Sequence, residues 1–549
     1  MTPETLAEKV LSAAAAAFNA AGLDASLLPA TTAVERPRNP EHGDYASTLA
    51  LQVAKKAGTN PRQLAERIAA ELTGDSGIAK VELAGPGFLN ITLAAGAAGE
   101  IAGSIVAQGP RYGTNTAMAG ERVNLEFVSA NPTGPVHLGG TRWAAVGNAL
   151  ARTMEASGAD VVQEYYFNDA GAQIDRFAES LYAAAQGRPV PEDGYAGAYI
   201  DDIAQAIVDR NPEVLEGPNP QTVFRTQGIE LMFDDIKKSL ADFGVEFDVY
   251  FNERDLHDEG ALDAALETLA KAGHVYEKDG ATWLRTSTFG DDKDRPLKKS
   301  DGAWTYFAAD CAYYLDKRKR GFEHVILVLG ADHHGYVGRM KAMVQCFGDD
   351  ADRLEILIGQ FVNLVRDGKP VRMSKRAGTV VTLDDIIEQL GVDATRYALA
   401  RYSMDTSIDL DIDQWTKHSS DNPVYYVQYA HSRISSIIRN AAEQGIILGG
   451  TYNASKLTHE REVDLLKALA EFPKVVAGAA ELREVHRIAR YAEDLAGAYH
   501  RFYNACRVIP RADETFTDTN LARLWLVEAT RVTLKNALHM LGVSAPDRM

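Results

Sequence analysis

The segment NPTGPVHLGG, at residues 131–140, combines residue types that suit phosphate binding. It follows a strand-like run and precedes a helical pattern, which predicts His137 and two glycines in the first turn of a helix. Free N–H groups and the positive dipole end attract phosphate there, and glycine permits close approach. An ordinary βα turn with a capping role is the alternative. The strand context and the Pro/Gly turn favour a nucleotide site.

A second segment, VRMSKRAGT at residues 371–379, lies between a predicted hairpin and a helix beginning near Leu383. A loop that carries Ser374, Lys375 and Gly378 is suited to fold over a triphosphate and to neutralise charge as pyrophosphate leaves. A solvated basic turn is the alternative for this segment taken alone.

The elements around these segments indicate a parallel sheet. Arg122–Ser129 and Asp160–Phe167 are predicted strands that flank a predicted helix, Leu138–Ser157, and together they form a βαβ unit. A further strand, Val325–Leu329, precedes GADHHG, and the loop after a parallel strand is where such sheets bind ligands. Ile356–Val365 is predicted as a strand that enters an RDGKP hairpin.

The regions on either side differ in pattern. Before about Gly120, the predicted helix Pro61–Leu72 alternates with two short strands, Lys80–Leu83 and Gly87–Leu93, which indicates a small α+β domain. A polar stretch from Asp169 to Leu269 is predicted to be helical. Beyond Gly391 nearly every segment is predicted to be helical, with amphipathic stretches at Pro423–Gln444, Glu460–Lys474, Ala479–Cys506 and Asn520–Leu541.

Composition limits the classes of protein that fit. The 549 residues are 46% hydrophobic and 24% charged, without an apolar run that could span a bilayer, and residues 1–22 are predicted as a helix rather than a signal peptide. Three widely spaced cysteines suggest neither disulfides nor a zinc site, and favour the cytoplasm. The formal charge of −19 argues against diffuse nucleic-acid binding, but not against one folded RNA on a basic face.

The two segments, in this order, resemble the HIGH and KMSKS signatures of class I aminoacyl-tRNA synthetases. Four longer stretches resemble the arginyl branch: EFVSANPTGPVHLG, WLRTSTFGDDKDRPLKKSDGAWTYFAAD, VLGADHHGYVGRMKA and DATRYALARYSMDTSIDLDID. HGDYAS and AGPGFLNI resemble the additional N-terminal domain with which this family contacts tRNA. The resemblance therefore covers essentially the whole chain.

The resemblance implies an α/β multidomain protein with three parts. These are an N-terminal α+β additional domain that contacts tRNA, a Rossmann-like doubly wound parallel catalytic domain with a helical insertion, and a C-terminal all-α anticodon-binding bundle. We expect them at residues 1–118, 119–390 (insertion about 170–275) and 391–549.

The implied activity is that of an arginine–tRNA ligase, a cytoplasmic monomer. It would use ATP with Mg²⁺ to form arginyl-adenylate, and transfer arginine to the terminal ribose 2′-hydroxyl of tRNA(Arg), with no protein-bound metal and no membrane partner. The family also implies that activation requires tRNA. A small nucleotidylyltransferase is one rival, which the helical last third opposes; an inactive tRNA-binding relative is another, which the presence of Glu126, Asp310 and Lys375 opposes.

The resemblance also assigns site residues. Catalytic roles fall on His137, Gly139, Gly140 and Lys375, and ATP binding falls on Pro132, Gly134, His137, Gly139, Asp332, His334, Met373, Ser374 and Lys375. His333 is placed near the same ligands, although buried or capping histidines are an alternative for His333 and His334. Two departures from the signatures stand out: Gly140 replaces the second His of HIGH, and Arg372 and Arg376 replace the first Lys and last Ser of KMSKS.

Arginine and tRNA would be bound by two further sets of residues. A guanidinium, with five donors in a fixed plane, calls for carboxylates and amide oxygens, and the family pattern assigns arginine binding to Glu126, Asn131, Tyr306, Asp310 and Asp332. The alternatives are that Glu126 pairs with a structural Arg and that Tyr306 is core. On a predicted helix at 481–504, interleaved cations and aromatics are suited to stack on unpaired bases and to contact phosphates; a salt-bridged helix of a bundle is the alternative. The resemblance assigns tRNA binding to Arg483, Arg487, Arg490 and Tyr503.

Overall fold

A computed structural model describes residues 1–37, 39–169, 171–258, 260–371, 381–511 and 514–549. Along the chain these residues form an α+β region, a region built on a parallel sheet, and a helical region, which confirms the predicted fold class. No helix in these ranges is long and apolar enough to cross a membrane.

The N-terminal region packs three helices on a three-stranded antiparallel sheet of order β1-β3-β2. Asn60 explains where its third helix begins, because its side-chain oxygen accepts hydrogen bonds from the N–H groups of Arg62 and Gln63. The region has a hydrophobic core of its own. Its elements are α1 (Pro3–Ala20), β1 (Tyr45–Ser47), α2 (Leu49–Ala54), α3 (Pro61–Leu72), β2 (Ile78–Ala84) and β3 (Phe88–Leu93), followed by α4 (Ala95–Gln108).

The central region is built on a five-stranded parallel sheet of order β11-β10-β4-β5-β6. The elements up to the middle of this region are β4 (Arg122–Glu126), α5 (Leu138–Ala156), β5 (Asp160–Phe167), α6 (Ala172–Ala185), α7 (Ala198–Arg210), α8 (Pro220–Asp242), β6 (Val249–Asn252), α9 (Glu253–Asp258) and α10 (Ala261–Lys271). The elements that come after them are β7 (Val275–Lys278), β8 (Ala281–Leu284), β9 (Arg295–Lys298), α11 (Tyr306–Lys319), β10 (His324–Gly330), α12 (Val337–Cys346), β11 (Leu354–Gly359), β12 (Val362–Arg366), β13 (Lys369–Pro370) and α13 (Leu383–Leu390).

The strand order reverses between β4 and β10. From β4 the chain continues to β5 and β6 on one side, and it later returns to β10 and β11 on the other. Glu126, the last residue of β4, pairs with Leu327 of β10, so the carboxyl ends of both strands lie side by side. Ligands bind at such a switch point in doubly wound sheets, because the two connecting loops diverge there.

Two strand predictions need correction, one at its end and one by division into two strands. The strand predicted at Arg122–Ser129 ends at Glu126, because Val128 and Ser129 adopt left-handed backbone conformations with φ of 69° and 40°. The single strand predicted at Ile356–Val365 is two strands in different sheets. The first of them ends at Gly359, which packs so closely on the Trp143 ring that a Cβ there would lie 1.8 Å from it.

Two other strands lie in segments that were predicted to be helical. β6 forms an edge of the central sheet within the stretch from Asp169 to Leu269, and β14 (Ile408–Asp411) pairs in parallel with β12. Both have four residues, too few for a periodic signal to stand out from the helices around them. The predicted RDGKP hairpin is confirmed, with Asp367 and Gly368 at positive φ between β12 and β13.

The C-terminal region is mostly helical, as predicted. Its core is continuous with that of the central region, whereas the N-terminal core is separate. The predicted helix Glu460–Lys474 is divided, because Pro473 lies in the first turn of a new helix. Besides β14, the elements are α14 (Val392–Ala400), α15 (Ile412–Trp415), α16 (Pro423–Glu443), α17 (Glu460–Ala470), α18 (Phe472–Glu481), α19 (His486–Ala505) and α20 (Asp518–Met540).

Candidate active site

A cavity of about 1330 Å³ opens at the switch point between β4 and β10. Most of the residues predicted from the sequence to bind ligands line it: Glu126, Asn131, Gly134, His137, Gly139, Gly140, Tyr306, Asp310, Asp332 and His333. Pro132 is buried in the turn instead of on the cavity wall. Met373, Ser374 and Lys375 lie outside the described residues, as does the side chain of His334.

His137 is the N-cap of α5, and this role fixes its tautomer. Its Nδ1 accepts a hydrogen bond from the Gly140 N–H at 3.2 Å, so the neutral ring carries its proton on Nε2. Desolvation lowers the pKa of His137, and Asp332 acts in the opposite direction. The neutral ring therefore offers the cavity an N–H donor.

The backbone donors at the start of α5 are fewer than the motif suggested. The Leu138 N–H donates to the Val381 carbonyl at 2.9 Å, and the Thr141 N–H donates to the His137 carbonyl at 2.9 Å. Among the described residues, no acceptor is found for the Gly139 N–H. A phosphate would therefore meet this single backbone N–H beside the ring of His137.

The turn between β4 and α5 is strained and well anchored. Ser129, at positive φ, donates through Oγ to Glu126 Oε1 at 3.2 Å and accepts from the Tyr166 N–H at 3.1 Å. Asn131 donates to Gln173 Oε1 at 2.7 Å. Strained backbone of this kind persists where surrounding contacts hold it, and it is typical of ligand sites.

Glu126 pairs with a buried lysine that sequence reasoning missed. Lys317, whose side chain is 2% exposed, places Nζ 2.7 Å from Glu126 Oε2, 3.2 Å from Glu164 Oε1 and 2.6 Å from Asn124 Oδ1. The alternative in which a structural cation pairs with Glu126 therefore applies, with Lys in place of Arg. A signal existed, because Lys317 lies seven residues after Asp310 and thus on the same helical face.

Glu164 is also held by cations. Arg320 donates to both of its carboxylate oxygens, at 2.6 and 3.0 Å, and the Tyr313 hydroxyl donates to Oε1. Burial acts to raise the pKa of Glu164, but Lys317, Arg320 and Tyr313 outweigh it and hold the pKa at about 2. This carboxylate is therefore ionised and fully compensated.

Asp310 and Glu253 lack such compensation. Burial raises the pKa of Asp310 to about 7, and Glu253 and Glu126 contribute, although the Tyr336 hydroxyl donates to Asp310. Burial also raises the pKa of Glu253, the first residue of α9, which is 5% exposed. Within the described part of the chain neither carboxylate has an ion-pair partner. Sequence reasoning missed Glu253 because it follows the unrecognised strand β6.

Tyr306 and Asp310 share α11 but differ in environment. Tyr306, the first residue of the helix, is 76% exposed at the cavity, so the alternative of a core tyrosine is wrong. Asp332 and His333 are exposed on a short 3₁₀ turn after β10, with Oδ2 and Nε2 3.4 Å apart. No group of three or more His, Cys, Asp or Glu arranged to hold a metal occurs in the described ranges.

The four residues proposed to bind tRNA are not equivalent. Arg487 and Arg490 are exposed on α19. Tyr503 is half-buried beneath the guanidinium of Arg433, 4.0 Å from its ring centre. Arg483 lies before α19 at positive φ, 8% exposed, and pairs with Glu355 of β11 at 3.1 Å. Its side chain is thus committed to the contact between the helical and central regions, which argues against a role for it in RNA binding.

Family models match most of the chain. Residues 102–406, more than half of it, match the model described as tRNA synthetases class I (R), catalytic domain. Residues 4–93 match the Arginyl tRNA synthetase N terminal domain. Residues 427–549 match the DALR anticodon binding domain.

Solved structures of synthetases are similar to this chain. A putative arginyl tRNA synthetase from Campylobacter jejuni is 32% identical, with a TM-score of 0.76, and the match covers 83% of this chain and 100% of that chain. Arginyl-tRNA synthetase of Thermus thermophilus is 23% identical, with a TM-score of 0.75 and 100% of both chains covered. Methionyl-tRNA synthetase of Mycobacterium tuberculosis in complex with methionyl-adenylate is 14% identical, with a TM-score of 0.55. The match covers 76% of this chain and 91% of that chain. The last two comparisons show the fold alone.

Proposed function

The chain belongs to the arginyl-tRNA synthetase family, and from that premise we propose how its cavity carries out the reaction. The family membership confirms the activity expected from the sequence: the protein is an arginine–tRNA ligase that uses ATP, arginine and tRNA. Each step of that activity can be assigned to particular residues in and around the cavity.

The observation that carries the arginine assignment is the pair of uncompensated carboxylates, Asp310 and Glu253. Two buried carboxylates without an ion pair are costly, and a planar cation with several donors relieves that cost when it binds between them. We therefore assign the guanidinium of arginine to Asp310 and Glu253. Asn131, Tyr306 and Asp332 remain proposed contacts to the rest of the substrate, and Glu126 is proposed to form one wall of the site.

ATP is proposed to bind at the start of α5. The Nε2–H of His137 and the N–H of Gly139 are the described donors that suit phosphate oxygens there. Gly134 and Gly140 line the cavity beside them, and Lys375 would neutralise the departing pyrophosphate. Mg²⁺ would enter on the ATP phosphates, and Asp332, an exposed carboxylate in the cavity, has the oxygen ligands that would fit it.

The reaction then depends on position and charge. The arginine carboxylate attacks the α-phosphorus of ATP and pyrophosphate leaves, which gives arginyl-adenylate. The 2′-hydroxyl of the terminal tRNA ribose next attacks the arginyl carbonyl carbon and AMP leaves. No side chain forms a covalent intermediate, so catalysis rests on orientation and on donors that are fixed before the reaction.

The tRNA is proposed to lie along the exposed face of α19. Arg487 and Arg490 supply cations there, and the helix falls within the residues that match the DALR anticodon binding domain. Action as a monomer in the cytoplasm is part of the same proposal; the three buried cysteines, all free thiols, are consistent with a reducing compartment.

Replacement of Glu253 tests the arginine assignment. Glu253→Gln removes the charge with little change of shape, and the loss of one charge-assisted contact, on the order of 1.5 to 3 kcal/mol, should raise the Michaelis constant for arginine at least about tenfold. The constant for ATP should stay within about twofold. Glu246→Gln, at an exposed position, is the matched control. An equal rise in both constants would show that Glu253 does not bind arginine.

A further inference from the structure

Lys317 makes contacts that neither ATP binding nor arginine binding accounts for. We propose that Lys317 is a positioning residue of the arginine site: a permanent cation that compensates Glu126 and Glu164, so that the substrate's guanidinium binds at Asp310 and Glu253. This inference rests on the proposed arginine assignment and adds a determinant of where the substrate's cation can bind.

The ammonium group of Lys317 is fully engaged. Its three N–H donors match three acceptors: Glu126 Oε2 at 2.7 Å, Asn124 Oδ1 at 2.6 Å and Glu164 Oε1 at 3.2 Å. The Tyr313 ring lies against it, with Nζ 4.2 Å from the ring centre. A buried lysine held in this way has one position, and it fixes the carboxylate of Glu126 in turn.

The strand register explains why a cation is needed at this place. Glu126 and Glu164 are direct partners across β4 and β5, so two like charges lie opposite each other, Glu126 on the cavity wall and Glu164 buried beside it. Like charges in this arrangement repel each other. Lys317 bridges the pair, and Arg320 covers Glu164 from the other side. The inner pair of carboxylates is thereby compensated before any substrate arrives.

The charges around the cavity indicate that the guanidinium of the substrate binds away from Glu126 and Glu164. Besides the exposed Asp332, four carboxylates line the cavity or lie next to it: Lys317 and Arg320 compensate Glu126 and Glu164, which leaves Asp310 and Glu253. Arg339 is near Asp310, but within the described residues it makes no ion pair with it; its guanidinium lies 5.2 Å from the Tyr336 ring centre. Because Lys317 already compensates Glu126 and Glu164, it directs the guanidinium of the substrate to the other two carboxylates.

Loss of the lysine should misplace arginine. Without it, Glu126 is left uncompensated beside Glu164, which Arg320 still holds, and Glu126 either takes up a proton or attracts the guanidinium. If Glu126 attracts the guanidinium, the arginine carboxylate is displaced from the α-phosphorus, and if Glu126 takes up a proton, the wall of the arginine site loses the contact that fixes it; in both cases the ATP donors at His137 and Gly139 are untouched. The expected effect is therefore specific to arginine.

The test is aminoacylation of tRNA(Arg) by Lys317→Ala, with chemical rescue. The Michaelis constant for arginine should rise at least about tenfold and that for ATP by less than about twofold. n-Propylammonium replaces the four heavy atoms that the substitution removes, and it should restore a measurable part of the arginine affinity. Propan-1-ol, of similar size and without charge, should not. Lys319→Ala, an exposed position on the same helix, is the matched control and should behave as the wild type.

Several outcomes would overturn the inference. One is an unchanged constant for arginine in Lys317→Ala; another is rescue by propan-1-ol equal to that by n-propylammonium, which would indicate packing rather than charge. If Lys317→Ala does not fold, Lys317→Gln keeps most of the side-chain volume, and an arginine constant equal to the wild type would again refute the proposal. A wild type that fails to charge arginine would instead refute the proposed function.

Discussion

The charges of individual residues determine where this cavity can accept a substrate. Glu164 is ionised and held by Arg320, and Glu126 is held by Lys317, whereas Asp310 and Glu253 remain uncompensated. Because of this asymmetry, a cationic side chain gains most binding free energy at the end of the cavity with Asp310 and Glu253. The carboxylate end of the amino acid is then left to face α5.

The pKa of Asp310 predicts a pH dependence of arginine binding. Because burial and nearby carboxylates raise this pKa to about 7, Asp310 loses its charge as the pH falls through that value, and the charge is what binds the guanidinium. Between pH 8 and 6.5, the Michaelis constant for arginine should rise about fourfold from this protonation alone. Asp310→Asn should give a high constant at both pH values. A constant that is flat in the wild type would contradict the assignment.

The active site should function with Gly140 in place of the second His of the HIGH signature. Gly140 lies inside α5 with helical backbone, and a Cβ there would lie 3.0 Å from Val136 Cγ1, so any side chain at this position requires Val136 to shift. Single-turnover adenylate formation should therefore be no faster in Gly140→His than in the wild type. Lys375→Ala should slow it at least about 10²-fold, as expected for the loss of one fixed charge-stabilising donor. A large gain in Gly140→His would mean that the wild-type site is impaired.

The sequence predicted the site residues that belong to compact motifs, and it missed those that depend on tertiary structure. His137, Gly139, Asp310 and Asp332 lie within short stretches whose chemistry can be recognised. The role of Lys317 depends on Glu126 and Glu164, which lie on two strands far away in the sequence. Such a cluster becomes visible only when the strand register is known.

Helix α5 connects the site to the other elements of the fold. Arg142, fully buried on this helix, donates to the carbonyls of Gln360, Ser403 and Thr406 at 2.6 to 3.0 Å. Burial lowers the pKa of Arg142 to about 10. Its three acceptors lie on the two chain segments that precede and follow residues 372–380, so α5 and these segments are fixed together.

Arg396 of α14 should be critical for stability at the junction of the helical and central regions. Its buried guanidinium donates to the carbonyls of Phe243 and Leu541 and to Asn148 of α5, at 2.7 to 3.1 Å. Arg396→Met leaves the carbonyls of Phe243 and Leu541 without this donor, at about 1 to 3 kcal/mol each, whereas Asn148 Oδ1 keeps a hydrogen bond from Arg152 Nε. The melting temperature should fall by at least about 5 °C. Arg62→Met, at an exposed position, is the control, and an equal melting temperature in both variants would contradict this role.

Helices were easier to predict from the sequence than strands at the edges of sheets. α3 and β5 have the predicted bounds, because their patterns are regular over eight or more residues. β6 and β14 have four residues each and are defined by pairing with distant strands, which no local pattern encodes. The close packing of Gly359, where β11 ends, involves Trp143, more than 200 residues earlier in the chain.

At the scale of the whole molecule, the central and helical regions share one hydrophobic core, whereas the N-terminal region has a separate one. The helical region contacts α5 through Arg396 and Asn148, and it contacts β11 through Arg483 and Glu355. A shared core is a physical route by which tRNA can influence the site for activation.

Activation should accordingly require tRNA, as the family resemblance implies. ATP–pyrophosphate exchange with arginine should be negligible in the enzyme alone and should appear when tRNA(Arg) is added. Addition of tRNA for another amino acid is the control for a general polyanion effect. Robust exchange in RNA-free enzyme would show that the site is complete without tRNA.

The measurement that tests the central claim most directly is aminoacylation of tRNA(Arg) by the purified protein with each of the twenty amino acids and ATP. The predicted result is that arginine alone is esterified to the tRNA, with AMP and pyrophosphate released in equal amounts. Esterification of a different amino acid, or none with arginine while the protein is folded, would contradict the account.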